Sequence, residues 1–351
     1  LAFKVNLSED RLRSLDPGDI LTKTLALPQQ IERGLELGSA FADAHDLSVL
    51  DELDWFGLGG SAVAGDLLQG FGYEPPMVPL RINVQRYPRS SSARRLVSSY
   101  SGNTVESLDA FTKVSPSQIW MTMSSGGQLR ELADNAKVPH LTLPGGYPPR
   151  AAVGFGLGAM LAILDKVYRL NNLANVRQNC AVLTEAAKSY RLLDAEKNPA
   201  LSIAVKLIDK TPVIYTVDGL TMPAVATRFR AQLAENSKVW SHAAPLPELA
   251  HNEVEAFGHL QQLLPPPLVI FLGRWEFEGR FTDPRPAMQK MLTELNVQSL
   301  ALEINAIDRL ATGLQLTLLL DAVTVYLALL RAVEPTEIPK ITKLKNYQKE
   351  S

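Results

Sequence analysis

The sequence predicts an α/β protein built from two doubly wound parallel sheets, each with helices on both faces. Three observations carry this. Short apolar runs of strand length alternate with helix-length segments of 3.6 periodicity, the pattern of parallel strands joined by crossover helices. The alternation occurs twice, over 51–165 and 196–333. The turns after the first set of strands are crowded with Gly and Ser, as at the ligand-binding edge of such sheets.

Taken in order, residues 1–50 read as an N-terminal helical segment, with "LPQQIERGLELGSAFADA" spaced near 3.6. In the first α/β lobe, 51–165, "DWFGLGG", "LRINVQR", "RRLVSSY", "QIWMTMSS" and "HLTLP" are strands. "SAVAGDLLQGF", "NTVESLDAFTK" and "GGQLRELADNA" are the helices between them. "AAVGFGLGAMLAILDKVYRL", 151–170, is a long apolar helix, and 166–195 is a helical connection. The second lobe, 196–333, follows. "TPVIYTVDG", "KVWSH", "PPPLVIFLG" and "VQSLALEI" are its strands. "ALSIAVKLID", "TMPAVATRFRAQLAENSK", "PAMQKMLTELN" and "RLATGLQLTLLLDAVTVYLALLRAV" are its helices. A basic amphipathic tail, 334–351, ends the sequence.

Composition narrows the function. With 351 residues the chain can bury a large core, and 46% apolar with 21% charged residues is ordinary for a globular protein. A net charge of −2 argues against electrostatic binding of nucleic acid. No unbroken run reaches the ~18 apolar residues of a membrane span, and "LAFKVNLSEDRLRSL" has no apolar leader core. The single cysteine, Cys180, allows no intrachain disulfide and points to the cytoplasm. Its apolar helical setting predicts a quiet thiol. His45, His140, His242, His251 and His259 form no metal-ligand spacing, so no metal is expected. The arginines at 81, 86, 89, 94 and 95 read as surface or substrate-attracting charge, mostly surface.

Three loops sit where strands meet helices: "GLGGSAVAGD", "SSYSGNTVESL" and "MSSGGQL". Helix N-termini expose backbone N–H groups and partial positive charge, hydroxyls add hydrogen-bond donors, and glycines admit an anion to the backbone. Ser and Thr also cap helices, but three such loops on successive strands favour a phosphate-like anion. A dinucleotide is disfavoured. "GLGGSA" is not GxGxxG, "LRINVQRY" ends in Arg86 rather than an acid, and no lysine completes a P-loop.

"GLGGSAVAGDLL", "SSYSGNTVESL", "LPGGYPPRAAVGF" and "QLAENSK…ELAHNEV", in that order, resemble the bifunctional phosphoglucose/phosphomannose isomerase family, which has two sugar isomerase (SIS) domains. "SYSGNT" alone marks any SIS domain, and the combination with "PPRAA" and "ENSK…HNE" is far more specific. The resemblance covers most of 51–351. It implies substrate contacts at Gly60, Ser61, Ser99, Ser101 and Thr104, an active-site arginine at Arg150 and a catalytic base at Glu235. It also implies ring-opening roles for His251 and Lys345, with Lys343 two residues before the latter. The implied partners are a sugar phosphate and a second copy of the chain, in a homodimer whose His251 is shared across the interface. No cofactor is implied.

The chemistry suits these residue types. Aldose–ketose isomerisation moves a proton between C2 and C1, which a carboxylate can carry. A guanidinium stabilises the enediolate oxygen. A histidine has the intrinsic pKa to open the sugar ring. Two other readings compete. A non-catalytic SIS module sensing a sugar phosphate would keep the hydroxyl loop without needing Glu235, His251 and Lys345. The isomerase half of a glucosamine-phosphate synthase would come with a glutaminase part and its N-terminal cysteine. A separate packing argument also points to a dimer: the helices at 151–170 and 309–333 are apolar nearly all round and need cover on most faces.

Overall fold

The computed structural model describes residues 7–70, 80–87, 92–217, 221–260, 262, 265–275, 282–306 and 308–350. Arg89 and the Asp218–Gly219 end of the strand expected at 211–219 lie outside the described residues. In chain order the elements are α1 (Glu9–Leu15), α2 (Ile20–Leu25), α3 (Leu27–Ala44), β1 (Glu52–Phe56), α4 (Gly60–Gly70), β2 (Arg81–Gln85), β3 (Arg94–Ser98) and α5 (Val105–Thr112). Next come β4 (Ile119–Ser124), α6 (Gly127–Ala136), β5 (His140–Thr142), α7 (Val153–Tyr168), α8 (Leu173–Ser189), α9 (Pro199–Leu207), β6 (Thr211–Thr216) and α10 (Thr221–Gln232). β7 (His242–Pro245), α11 (Phe257–Leu260), β8 (Pro267–Leu272), α12 (Arg285–Glu294), β9 (Gln298–Leu302), α13 (Arg309–Leu330) and α14 (Pro339–Glu350) complete the chain.

The chain divides into two compact units. One comprises 25–187 and 306–315, the other 1–24, 188–305 and 316–351. The first contains a five-stranded parallel sheet in the order β2-β1-β3-β4-β5. Strand order reverses between β1 and β3, the crevice where open α/β sheets bind ligands. Every residue of β4 is buried, as expected of a parallel strand covered on both faces. α3 and α7 meet backbone to backbone. A Cβ on Gly38 would stand 2.2 Å from the Ala159 carbonyl oxygen, and one on Gly158 2.2 Å from that of Ile31. Glycine alone permits that approach.

The second unit contains a four-stranded parallel sheet in the order β7-β6-β8-β9. β6 and β8 are buried throughout. Tyr215, Phe257 and Phe271 form the aromatic centre of one core cluster. Two parallel sheets, each flanked by helices, are the predicted class.

Three expectations are corrected. The strand expected at "KVWSH" begins later, at His242, where pairing with β6 starts opposite Val213; Trp240 is 71% exposed. Arg95 is buried rather than on the surface, its Nη1 donating to the Ala110 carbonyl at 2.7 Å. The packing argument for a dimer also falls. Residues 153–164 of α7 are all buried within the single chain. α13 is long and apolar enough to cross a bilayer, yet 89% of its most apolar window is buried inside the protein. Neither helix needs a second chain to cover it.

Candidate active site

In the first unit, the loops at the ends of β1, β3 and β4 interlock. Ser61 lies in the first turn of α4, and its Oγ accepts the Tyr100 N–H at 2.9 Å. Ser99 is 2% exposed, and its Oγ donates to Thr104 Oγ1 at 2.9 Å. Ser99 therefore orients Thr104 from beneath. Ser101 is exposed and Thr104 half-buried at the N-cap of α5. Gly102 has φ +70°, and a Cβ there would collide with the Gly126 carbonyl. Its own carbonyl accepts the Leu129 N–H at 2.9 Å, tying the second loop to the third. The result is an interlocked rim in which Ser101 and Thr104 immediately precede the first turn of α5, whose N–H groups favour an anion.

Arg150 packs its backbone beside the first of these loops, its Cα 3.4 Å from where a Cβ on Gly60 would stand. It lies in a 3₁₀ turn, Pro149–Ala151, and is 5% exposed. A Cβ on Gly60 would come within 2.5 Å of the Pro149 carbonyl oxygen. The glycine that reads as room for an anion is thus also required by the turn carrying Arg150. Gln30 braces the other side. Its amide nitrogen donates to the Ala151 carbonyl at 2.7 Å, and its amide oxygen accepts the Gly154 N–H at 3.3 Å. Tyr100, read in the sequence only as the end of a strand and part of the hydroxyl loop, has a bracing role that the sequence reading missed. Its hydroxyl donates to the Pro144 carbonyl at 2.7 Å and accepts the Tyr147 N–H at 3.3 Å. It so fastens the hydroxyl loop to the segment leading to Arg150. A lone tyrosine inside a Ser/Gly run was the available signal. Burial raises its pKa. The structure thus brings Gly60, Ser61, Ser99, Ser101, Thr104 and Arg150 together.

The second unit carries Glu235, His251 and Lys345. α10 does not continue through "LAENS" as an ordinary helix. Residues Leu233–Ser237 form a π turn, a widening that recurs at functional sites. Asn236 and Ser237 are buried, while Glu235 is half-buried. Glu235 lines a cavity of about 360 Å³ with Lys238, Trp240, Pro339 and Ile341. The Lys238 ammonium donates to the Glu235 carbonyl oxygen at 2.6 Å.

His251 ends a 3₁₀ turn, Glu248–His251, and is exposed. The next turn is anchored by Glu253, whose two carboxylate oxygens lie 3.0 Å from His242 Nε2 on β7. Lys345 is exposed on α14. Its neighbour Lys343 lies over the Tyr347 ring at 5.4 Å. Neither His251 nor Lys345 lines the Glu235 cavity.

Two parallel-sheet units, one presenting a hydroxyl-rich loop beside a strand-order reversal, define the SIS class of sugar-phosphate proteins. The comparisons agree. A family model described as "Bacterial phospho-glucose isomerase C-terminal SIS domain" matches residues 196–347. A bifunctional phosphoglucose/phosphomannose isomerase of Caldicellulosiruptor bescii is 31% identical, over 91% of this chain and 96% of its own. A D-glucosamine-6-phosphate 4-epimerase of Sulfolobus acidocaldarius is 27% identical, over 65% of this chain and 71% of its own. A solved structure of a hypothetical protein from Thermus thermophilus superposes with a TM-score of 0.73 at 16% identity, covering 98% of this chain and 94% of that one. The chain belongs to the bifunctional phosphoglucose/phosphomannose isomerase family.

Proposed function

We propose that this protein interconverts glucose 6-phosphate and mannose 6-phosphate with fructose 6-phosphate through a cis-enediol, without a cofactor. It is a sugar-phosphate isomerase by family. The observation that carries the finer reading is Glu235, a half-buried carboxylate held in a π turn at the edge of a cavity.

In this reading the Ser101 and Thr104 hydroxyls and the first turn of α5 hold the phosphate, with Gly60 and Ser61 beside the sugar and Ser99 fixing Thr104. His251 and Lys345 open the ring. The anomeric hydroxyl gives up its proton, the ring oxygen gains one, and the C1 carbonyl forms. The Glu235 carboxylate then takes the C2 proton. The C–H electron pair becomes the C1=C2 bond, and the developing charge on O1 is stabilised by the Arg150 guanidinium. O1 is protonated to the enediol. O2 then loses its proton, C2 becomes the ketone, and Glu235 returns its proton to C1. C1 is reduced as C2 is oxidised, so the reaction balances with no external hydride acceptor.

The active species in this reading is a homodimer in which His251 completes the partner's site. The exposure of His251, away from the Glu235 cavity of its own chain, supports this. The single cysteine, Cys180, fits a cytoplasmic enzyme of glycolysis or gluconeogenesis. Cys180 is buried, and burial pushes its thiol up to about 12. A non-catalytic sensor is not favoured, because relatives spanning nine tenths of the chain are named isomerases. The direct test is a coupled assay with fructose 6-phosphate, with and without a chelator. Turnover to both aldose phosphates in either condition is expected. Activity lost on chelation and restored by zinc would contradict the cofactor-free mechanism.

A further inference from the structure

We infer that Thr324, a residue outside every motif of the sequence, is a positioning residue for Glu235. The inference rests on the reading of Glu235 as the proton-transfer base.

Thr324 is fully buried on α13 and bonds to both residues that follow Glu235. Its Oγ1 accepts the Asn236 side-chain amide at 2.9 Å, and its carbonyl accepts the Ser237 hydroxyl at 2.6 Å. The Thr324 hydroxyl proton is directed to the Asp321 carbonyl at 2.7 Å, which leaves the oxygen lone pairs facing Asn236. Arg331 Nη1, just past the end of α13, donates to the Ser237 carbonyl at 2.9 Å.

The clamp is anchored further back. Asp321, three residues before Thr324 and on the same helix face, is paired with Arg228 of α10. Arg228 Nε lies 3.0 and 2.9 Å from the two Asp321 oxygens, and Nη2 lies 2.7 Å from Oδ2. Both side chains are 4% exposed. α10 is therefore fixed to α13 at Arg228, and the π turn that follows it is fixed again at Asn236 and Ser237. Between these points the chain takes the wide turn that leaves Glu235 at the cavity.

Such a turn adds a residue to a helix and persists where something holds it. Apolar packing alone constrains rotation weakly. Directional hydrogen bonds inside a low-dielectric core constrain it strongly. Turning Asn236 and Ser237 inward by these bonds is what fixes the outward direction of Glu235. A carboxylate displaced by about 1 Å from the reacting carbon can lose on the order of 100-fold in rate.

The test is Thr324→Val, which keeps the shape and the carbonyl but removes the hydroxyl. The expected result is a fall in kcat of about 10- to 100-fold, with KM for fructose 6-phosphate held within about twofold, as for an interaction expressed in the transition state. Thr324→Ser, which restores the hydroxyl, should recover most of the rate. Asn236→Ala cuts the same bond from the other end. It should give a similar fall, with the double variant no worse than either single one. It decides the question alone should Thr324→Val not fold. Wild-type kcat in Thr324→Val or in Asn236→Ala, or losses that multiply in the double variant, would overturn the inference while Glu235→Gln stays inactive. An active Glu235→Gln would instead remove the reading of Glu235 on which it stands.

Discussion

Gly60 and Pro149 touch backbone to backbone: any Cβ on Gly60 would stand 2.5 Å from the Pro149 carbonyl oxygen and 3.4 Å from the Arg150 Cα. Two segments far apart in the chain are thereby held in direct contact. One begins the helix that carries Ser61, and the other carries Arg150. Gly60→Ala should therefore push the Arg150 turn away. Overpacking of this kind costs about 1–3 kcal/mol of stability. The expected outcome is a folded protein with a lowered Tm and kcat/KM reduced by about 10- to 100-fold. Thermal melts and steady-state kinetics check it, and unchanged kinetics would mean that Arg150 does not need this contact.

The hydroxyl loop separates into two kinds of residue. Ser101 and Thr104 face outward, whereas Ser99 lies beneath and bonds to Thr104. Ser101→Ala and Thr104→Ala should mainly raise KM, since phosphate is held alike in ground and transition states. Each lost bond to a charged group is worth about 1.5–3 kcal/mol, or roughly 10- to 150-fold in KM. Ser99→Ala should lower stability by about 1 kcal/mol with a smaller change in KM. Unchanged KM in both outward variants would move the phosphate site elsewhere.

His140 makes stability depend on pH. On β5 its Nδ1 lies 2.8 Å from Thr122 Oγ1, and burial pushes its pKa down to about 4 from an ordinary 6.5. The unfolded chain takes up this proton near pH 6.5 and the folded chain only near pH 4. Between those values the unfolded state binds more protons. The contribution is thus fully present above pH 6.5 and is lost as pH falls toward 4. Urea midpoints measured at about pH 7 and about pH 4.5, either side of most of that loss, should fall further in the wild type than in His140→Asn. Equal falls would show that this imidazole is not the titrating group.

What the sequence made legible follows from how local each feature is. β4 and β8 are buried on both faces and so read as continuous apolar runs. The hydroxyl loop is local too, since its Ser, Gly and Thr residues lie within one turn. The π turn was hidden because "LAENS" has ordinary helix-forming spacing, and its widening depends on Thr324, 88 residues from Asn236. The need for glycine at position 60 was half read, because Pro149 is distant in sequence. Arg95 reads as surface because charge outweighs neighbours in composition, yet its guanidinium finds the Ala110 carbonyl beneath α5. The apolar helices read as needing a second chain, a need that burial within the one chain removes.

The proposed homodimer, with its shared His251, is open to complementation. Glu235→Gln and His251→Ala proteins should each be inactive alone. After subunit exchange a mixed dimer has one site with both residues intact, so activity should return. No recovery after verified exchange, or full activity in a monomer on sizing, would contradict the shared site.

The central claim is that Glu235 moves the proton between C2 and C1. The most direct measurement is exchange of the fructose 6-phosphate C1 proton with solvent deuterium, followed by NMR, in wild type and Glu235→Gln. The substitution keeps shape and hydrogen bonding while deleting the base, and general-base catalysis is worth about 10²–10⁴-fold. Exchange should fall by that factor or more while a sugar-phosphate inhibitor still binds with nearly unchanged affinity. Exchange at the wild-type rate in Glu235→Gln would assign the base to another residue.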